Sequence, residues 1–186
     1  MQKLINVWAA IAVVGLVVFL AFGIVVWSHG FNSRAKPSSL EDSVAMKLHD
    51  SSIPDRYGKM STPLPAAQID LVEAGAHYEE HCAVCHADNG SGITKFEGTM
   101  YPRPTDLRSE DTQSMSDGEL YYTIKNGIRW SGMPAFGRPG DDDEHVWKIV
   151  AYVRHLPKLT SSEQQQVLAR AQQPMQGGDS AEKLSR

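Results

Sequence analysis

Cysteine is almost missing from this sequence, two among 186 residues, and so few thiols cannot build the disulfide framework that holds a small secreted domain together. Basic charge is scarce as well. Lys and Arg number 18 against 22 Asp and Glu, a formal net charge of -4, which excludes the strongly basic face that nucleic-acid binding requires. No nucleic acid is therefore expected as a partner. No internal repeat is visible, and no stretch reads as a strand. The segment from His86 to Met115 is broken by Asn89, Gly90, Gly92, Gly98, Pro102 and Pro104, a loop composition. What remains is an all-α fold with long loops.

From Val7 to Trp27 there is no charged residue. About 21 helical residues at about 1.5 Å each span roughly 31 Å, the thickness of a bilayer's hydrocarbon core. The run reads as a single transmembrane helix with residues 4–27 in the lipid bilayer. Trp8 and Trp27 stand near its two ends, where amphipathic rings favour the headgroups. The competing reading is a cleaved signal peptide, whose apolar region runs about 7 to 15 residues. The longer run here, ending in Trp27, Ser28 and His29, favours an uncleaved anchor. Lys3 before the run and Arg34 with Lys36 after it nearly balance, so charge alone leaves the orientation open.

The remaining length allows one modest core, since about 150 residues per domain is usual. Residues 30–65 are polar with scattered Ser and Pro and read as a juxtamembrane linker. Ser39 with Asp42, then Val44 and Leu48, mark at most one short helix within it. Leu71, Ala74 and Tyr78 share one face of a helix predicted over 70–81, beside the small Gly75. Ser116 with Glu119, then Leu120, Ile124 and Gly127, predict a second helix with both ends marked. The acidic run Asp141, Asp142, Asp143, Glu144 suits the positive end of a third. That helix continues through Val146, Trp147, Ile149, Val150 and Val153 until Pro157 stops it. After Leu159 the chain turns rich in Gln and Ser. The expected organisation is an anchor at 1–29, a linker at 30–65, a domain at 66–159, and a polar flexible tail at 160–186 with at most a weak helix near Val167 and Leu168.

The two cysteines sit three positions apart in Cys82-Ala83-Val84-Cys85-His86. This is the C-x-x-C-H arrangement of covalent haem attachment. Two thiols so spaced at a helix end reach both vinyl groups of one porphyrin, and the next imidazole turns to the iron. One haem c per chain is expected, attached through Cys82 and Cys85 and ligated by His86. A zinc site is an alternative, but it needs further ligands. His77 and His81 lie on the preceding helix, yet no further cysteine exists to complete a familiar cluster. A thioredoxin-like pair also uses C-x-x-C, beside a βαβ pattern that this region does not show. The loop after His86 is long for an unstructured connection, and wrapping a large flat cofactor would explain its length.

A low-spin electron-transfer haem needs a sixth ligand, and a thioether suits it. Met133 lies in Ile128-Arg129-Trp130-Ser131-Gly132-Met133-Pro134-Ala135-Phe136, where glycine and proline can shape a tight loop. In these motifs the sequence resembles the class I c-type cytochromes, and among them the small single-haem, membrane-anchored bacterial kind, over roughly residues 66–156. The resemblance implies a cytochrome c-like domain of about three to five helices wrapped around one haem. It also implies a distal Met about fifty residues after the haem histidine, often followed by Pro. Met133 fits that pattern, while Met100 and Met115 read as packing residues. A crossing of the N- and C-terminal helices is implied too, with Gly75 and Tyr78 against Trp147 and Tyr152. Arg103, between Pro102 and Pro104, is a candidate partner for a haem propionate, with a proline carbonyl accepting the His86 ring proton. A solvated loop arginine is the alternative. His77, His81, His145 and His155 fall on helices and read as surface or packing residues.

In the resembled family haem is joined on the outer face of the energy-transducing membrane. That implies a single-pass protein of the bacterial cytoplasmic (inner) membrane with its haem domain on the periplasmic side. With His86 and Met133 both on the iron, no position is left for substrate. The expectation is an electron-transfer protein rather than an enzyme, moving single electrons between membrane-bound or periplasmic redox proteins. Two alternatives stay open: a haem sensor or gas-binding module with a displaceable distal ligand, and a haem subunit of a larger oxidoreductase complex. Between 66 and 159, nine Lys and Arg stand against fifteen Asp and Glu. Lys125, Arg129 and Arg138 around Met133 mark a less acidic face for docking.

Overall fold

Short polar side chains open the longer helices after the first, because the exposed N–H groups of a first turn need acceptors. The computed structural model describes residues 2–29, 32–137 and 143–173, and no strand occurs among them. The chain divides into two units, Met1–Lys36 and Pro37–Arg186. The first holds α1 (Gln2–His29), a helix whose described side chains are all exposed although most are apolar. A helix that is hydrophobic all round is at home inside a larger core or a bilayer. It alone, among the described residues, is long and apolar enough to cross a membrane, and a signal sequence would meet the same test.

The second unit begins with α2 (Ser39–Ser52), closed at its start by a capping box between Ser38 and Glu41. The box lies one residue earlier than Ser39 and Asp42 imply, because Glu41, with the longer side chain, is the residue that reaches back to the Ser38 N–H. Helix α3 (Leu71–His81) starts where Asp70 accepts from the N–H groups of Val72 and Glu73 at 2.9 and 3.1 Å. Two short helices follow, α4 (Ala83–His86) and α5 (Glu110–Gln113). Helix α6 (Asp117–Asn126) has the predicted Ser116–Glu119 box and ends at Gly127. Helix α7 (Glu144–His155) is capped by Asp143. Asp141 and Asp142 lie outside the described residues. Pro157 does not stop this helix: the α geometry ends at His155, and Pro157 sits inside a following 3-10 turn, Leu156–Lys158, where its missing N–H is harmless.

The core forms where α3, α6 and α7 meet, and its largest fully buried side chains include Trp147, Tyr78 and Tyr152. Tyr78 packs on Tyr152 with ring centroids 5.2 Å apart. Trp147, in the same core cluster, stacks on Tyr121 of α6, 4.2 Å between centroids. Arg154 of α7 binds Asp117 at 2.8 Å, the Gln113 carbonyl at 2.7 Å and the Met115 carbonyl, fixing α7 to the start of α6.

Two stretches expected to be loose are packed. Residues 161–171 form a helix, α8 (Ser161–Ala171), opened by a Thr160–Glu163 capping box. Its Val167 is buried. A Cβ on Gly75 would lie 2.6 Å from both Val167 Cγ2 and Tyr152 Cε2, so the absence of a side chain there lets α7 and α8 both close on α3. Arg170 pairs with Glu73 at 2.7 Å and His155 with Glu163 at 3.0 Å. The weak helix expected near Val167 and Leu168 is this one, held by a single buried apolar anchor. Within the expected linker, Tyr57, Met60 and Leu64 pack against the core, and Gly118 donates to the Met60 carbonyl at 3.2 Å.

Candidate haem-binding site

The cysteine motif is one tight turn at the end of α3. Cys82 donates its N–H back to the Tyr78 carbonyl at 2.7 Å, and Cys85 and His86 donate to the Cys82 carbonyl at 3.1 and 2.9 Å. Both thiols are half-buried and unpaired. The next residue, Ala87, turns the chain away with φ at 64°, a conformation that L side chains seldom adopt. It is held by the Tyr78 hydroxyl, which donates to the Ala87 carbonyl at 2.8 Å. Burial drives the Tyr78 hydroxyl well above its ordinary pKa, so the proton that makes this bond stays in place.

The His86 ring is oriented by a backbone oxygen. Its Nδ1 lies 2.9 Å from the carbonyl of Thr105. A carbonyl only accepts, so Nδ1 carries the proton and Nε2 presents a lone pair. Burial lowers the ring's pKa, against the opposing pull of this same bond, and the imidazole is neutral and ready to ligate. The acceptor is Thr105, not the expected proline. The residues that place it are Gly90 and Gly92. Leu107 donates to the Gly90 carbonyl and Gly92 to the His86 carbonyl, each at 2.8 Å. A Cβ on Gly92 would stand 2.5 Å from the Pro104 oxygen. Only a glycine lets the two backbone segments come so close.

On the distal side, the loop after α6 folds back on its own helix. Phe136 and Gly137 donate to the Ile124 and Lys125 carbonyls at 3.2 and 3.0 Å, satisfying two of the acceptors that a helix end leaves open. Ile128 donates to the Met133 carbonyl at 3.1 Å. The Met133 N–H donates to the Ser131 hydroxyl at 3.0 Å, and that hydroxyl donates to the Ile128 carbonyl at 2.8 Å. Met133 itself is half-buried and packs against the core. Met100, read as a packing residue, brings its sulfur to within 2.9 Å of where a Gly132 Cβ would be; it braces the loop that carries Met133.

Arg103 is exposed and has no ion-pair partner among the described residues. Of the proposed docking cations, Arg129 is exposed beside the ring of Trp130, 5.8 Å from its centroid. Lys125 is partly buried, with its ammonium donating to the Tyr121 hydroxyl at 3.3 Å. Arg138 lies outside the described residues. Burial, then the neighbouring Cys85 and Glu79, push the Cys82 thiol up to about 12, where a redox-active pair needs the reverse, a thiol whose pKa is depressed.

Residues 70–153 match the family described as cytochrome c oxidase, cbb3-type, subunit III. A thiosulfate dehydrogenase of Stutzerimonas stutzeri (strain A1501) is 28% identical over 92 residues, 49% of this chain and 29% of that protein. The likeness thus spans under a third of the relative's length. Both matches support a class I c-type cytochrome domain over this segment. Such a domain implies haem c as cofactor and electron transfer as its role, and the donor set described above fits that group. The matched segment begins at the cap of α3 and stops within α7, so α8 lies beyond it while packing on its first helix.

Proposed function

We propose that this chain is a membrane-tethered, single-haem cytochrome c that moves single electrons between extracytoplasmic or membrane-bound redox proteins. The proton placement on His86 carries the reading: in a C-x-x-C-H turn, Nδ1 is committed to Thr105 and Nε2 is free for iron. Cys82 and Cys85 would hold haem through thioethers, His86 and Met133 would be its axial ligands, and Arg103 would pair with a propionate. Haem so held supplies a one-electron couple with no coordination position left for substrate. The chain's own residues then set access and potential. Thr105 fixes the tautomer of His86, and Ser131, Gly127 and Ile128 hold Met133 in its loop.

Residues 4–27 would anchor the chain in the bacterial inner membrane with the haem domain on the periplasmic side. Anchoring confines the domain near membrane partners and raises its effective concentration there. A second reading is supported by the dehydrogenase relative, which is matched over one part of its length. In that reading the chain is the electron-accepting subunit of an oxidoreductase whose catalytic site lies on another polypeptide.

The test is spectroscopic. Material from cells able to mature c-type cytochromes is extracted with acidified acetone, and ferrous spectra are taken with and without carbon monoxide. Colour that stays with the polypeptide and no gas adduct are expected; Met133→Ala opens the adduct. Haem lost to the acetone layer, or an adduct in the unsubstituted protein, rejects the reading. Gentle detergent extraction decides between free carrier and subunit.

A further inference from the structure

Helix α3 carries a second set of ligating groups, outside the cysteine turn. We propose that His77, Glu80 and His81 form a binding site for one divalent first-row transition-metal ion, with copper(II) and zinc(II) as its ligand class. The spacing i, i+3, i+4 puts all three on one helix face. Their ligand atoms lie within 4.8 Å of one another, and the Glu80 carboxylate is 3.6 Å from His81 Nε2. In a tetrahedral site with metal–ligand distances of about 2.0 to 2.2 Å, donor atoms stand roughly 3.3 to 3.6 Å apart. Closing from 4.8 Å needs only side-chain rotation, since the helix backbone already sets the spacing.

The site is partly built before any ion arrives. His77 is half-buried. Its ring meets His81 edge-on at 4.7 Å between centroids and stacks on His145 of α7 at 5.9 Å. His81 in turn lies 6.4 Å from the ring of Phe136. These contacts restrict the rotamers and lower the entropy cost of ligation. Simple ring packing is the rival explanation, but it leaves the Glu80 carboxylate beside the two imidazoles of the same helix face without a role. Burial, and then the nearness of His81 and His145, hold the His77 pKa below 6.5, so its lone pair is available at neutral pH.

Two imidazoles with one carboxylate select zinc or copper over magnesium or calcium, which prefer oxygen donors. Copper(II) should bind more tightly than zinc, following the general order of first-row affinities. The site stands whether or not Cys82 and Cys85 carry haem.

The test uses the full chain, haem-loaded, solubilised in detergent, stripped with chelator and made without a histidine tag. Titration calorimetry with zinc chloride should give one ion per chain. His77→Gln and His81→Gln should each weaken binding roughly tenfold or more, with Glu80→Gln weakening it less and His49→Gln on α2 leaving it unchanged. Copper(II) should bind with nitrogen hyperfine structure in its electron paramagnetic resonance spectrum, lost in His77→Gln/His81→Gln. Zinc affinity within twofold of the unsubstituted protein in both single variants, or no binding at roughly 100 μM zinc, overturns the proposal. If His77→Gln disturbs the haem spectrum, His81→Gln, at an exposed residue, decides alone.

Discussion

Gly127 and Met133 are in direct backbone contact: a Cβ on Gly127 would lie 2.7 Å from the Met133 carbonyl oxygen and 2.6 Å from the Pro134 carbonyl carbon. The residue also has φ at 67°, in the region where side chains are strained. Gly127→Ala should therefore cost about 1–3 kcal/mol and push the loop outward, because the helix behind it cannot yield. If Met133 is the distal ligand, the ferrous variant should bind carbon monoxide where the parent does not. A destabilised variant that still excludes the gas would separate the loop from ligation.

Gly92 does the corresponding work on the proximal side. A methyl group there meets the Pro104 oxygen at 2.5 Å and the Thr105 oxygen at 3.1 Å, and it must displace the acceptor of the His86 ring proton. If His86 ligates the haem iron, loss of that bond makes the imidazole a poorer electron donor to it. Gly92→Ala is expected to raise the reduction potential, read by redox titration against the parent protein. An unchanged or lowered potential would mean that Thr105 does not tune the ring.

Much of this site was legible because its signals are local. Ser116, Glu119 and Gly127 mark both ends of α6 by themselves, and the five residues from Cys82 to His86 need no partner to be read. What the sequence did not disclose depends on contacts distant along the chain. Thr105 meets His86 across nineteen residues, and nothing about a threonine announces that its carbonyl, not its side chain, is used. Gly92 is a visible signal in retrospect, but loop glycines are common and only the approaching Pro104 backbone gives this one its role. Helix α8 shows in the sequence only as a weak helix near Val167 and Leu168, for a related reason. It has one buried apolar residue, Val167, and relies on Arg170–Glu73 and His155–Glu163 pairs, none of which shows in a hydrophobic pattern.

The Gly75 contact gives a packing test. Gly75→Ala inserts a methyl group between Tyr152 and Val167, each 2.6 Å away, and such overpacking costs about 1–3 kcal/mol. Val167→Ala removes one of the two obstructing side chains. The double variant should lose less stability than the sum of the single ones, measured by urea unfolding. Strict additivity would show that α8 is not held on α3 through this point.

Glu79 sets a pH dependence. One of its carboxylate oxygens is buried without a hydrogen-bond partner, and burial first, then the charge of Asp88, push its pKa up from 4.5 to about 7. The folded state therefore binds this proton more tightly than the unfolded chain does. Below about pH 4.5 both states are protonated and the favourable contribution is fully present; as pH rises through about 7 the folded state must accept a poorly solvated charge, and that stability is lost. Glu79→Gln keeps the shape and removes the titration. In metal-free buffer, the unfolding midpoint of the parent should fall from pH 4.5 toward pH 7.5 relative to that of the variant, the gap opening between those limits. Parallel curves would mean that water reaches the carboxylate and screens it.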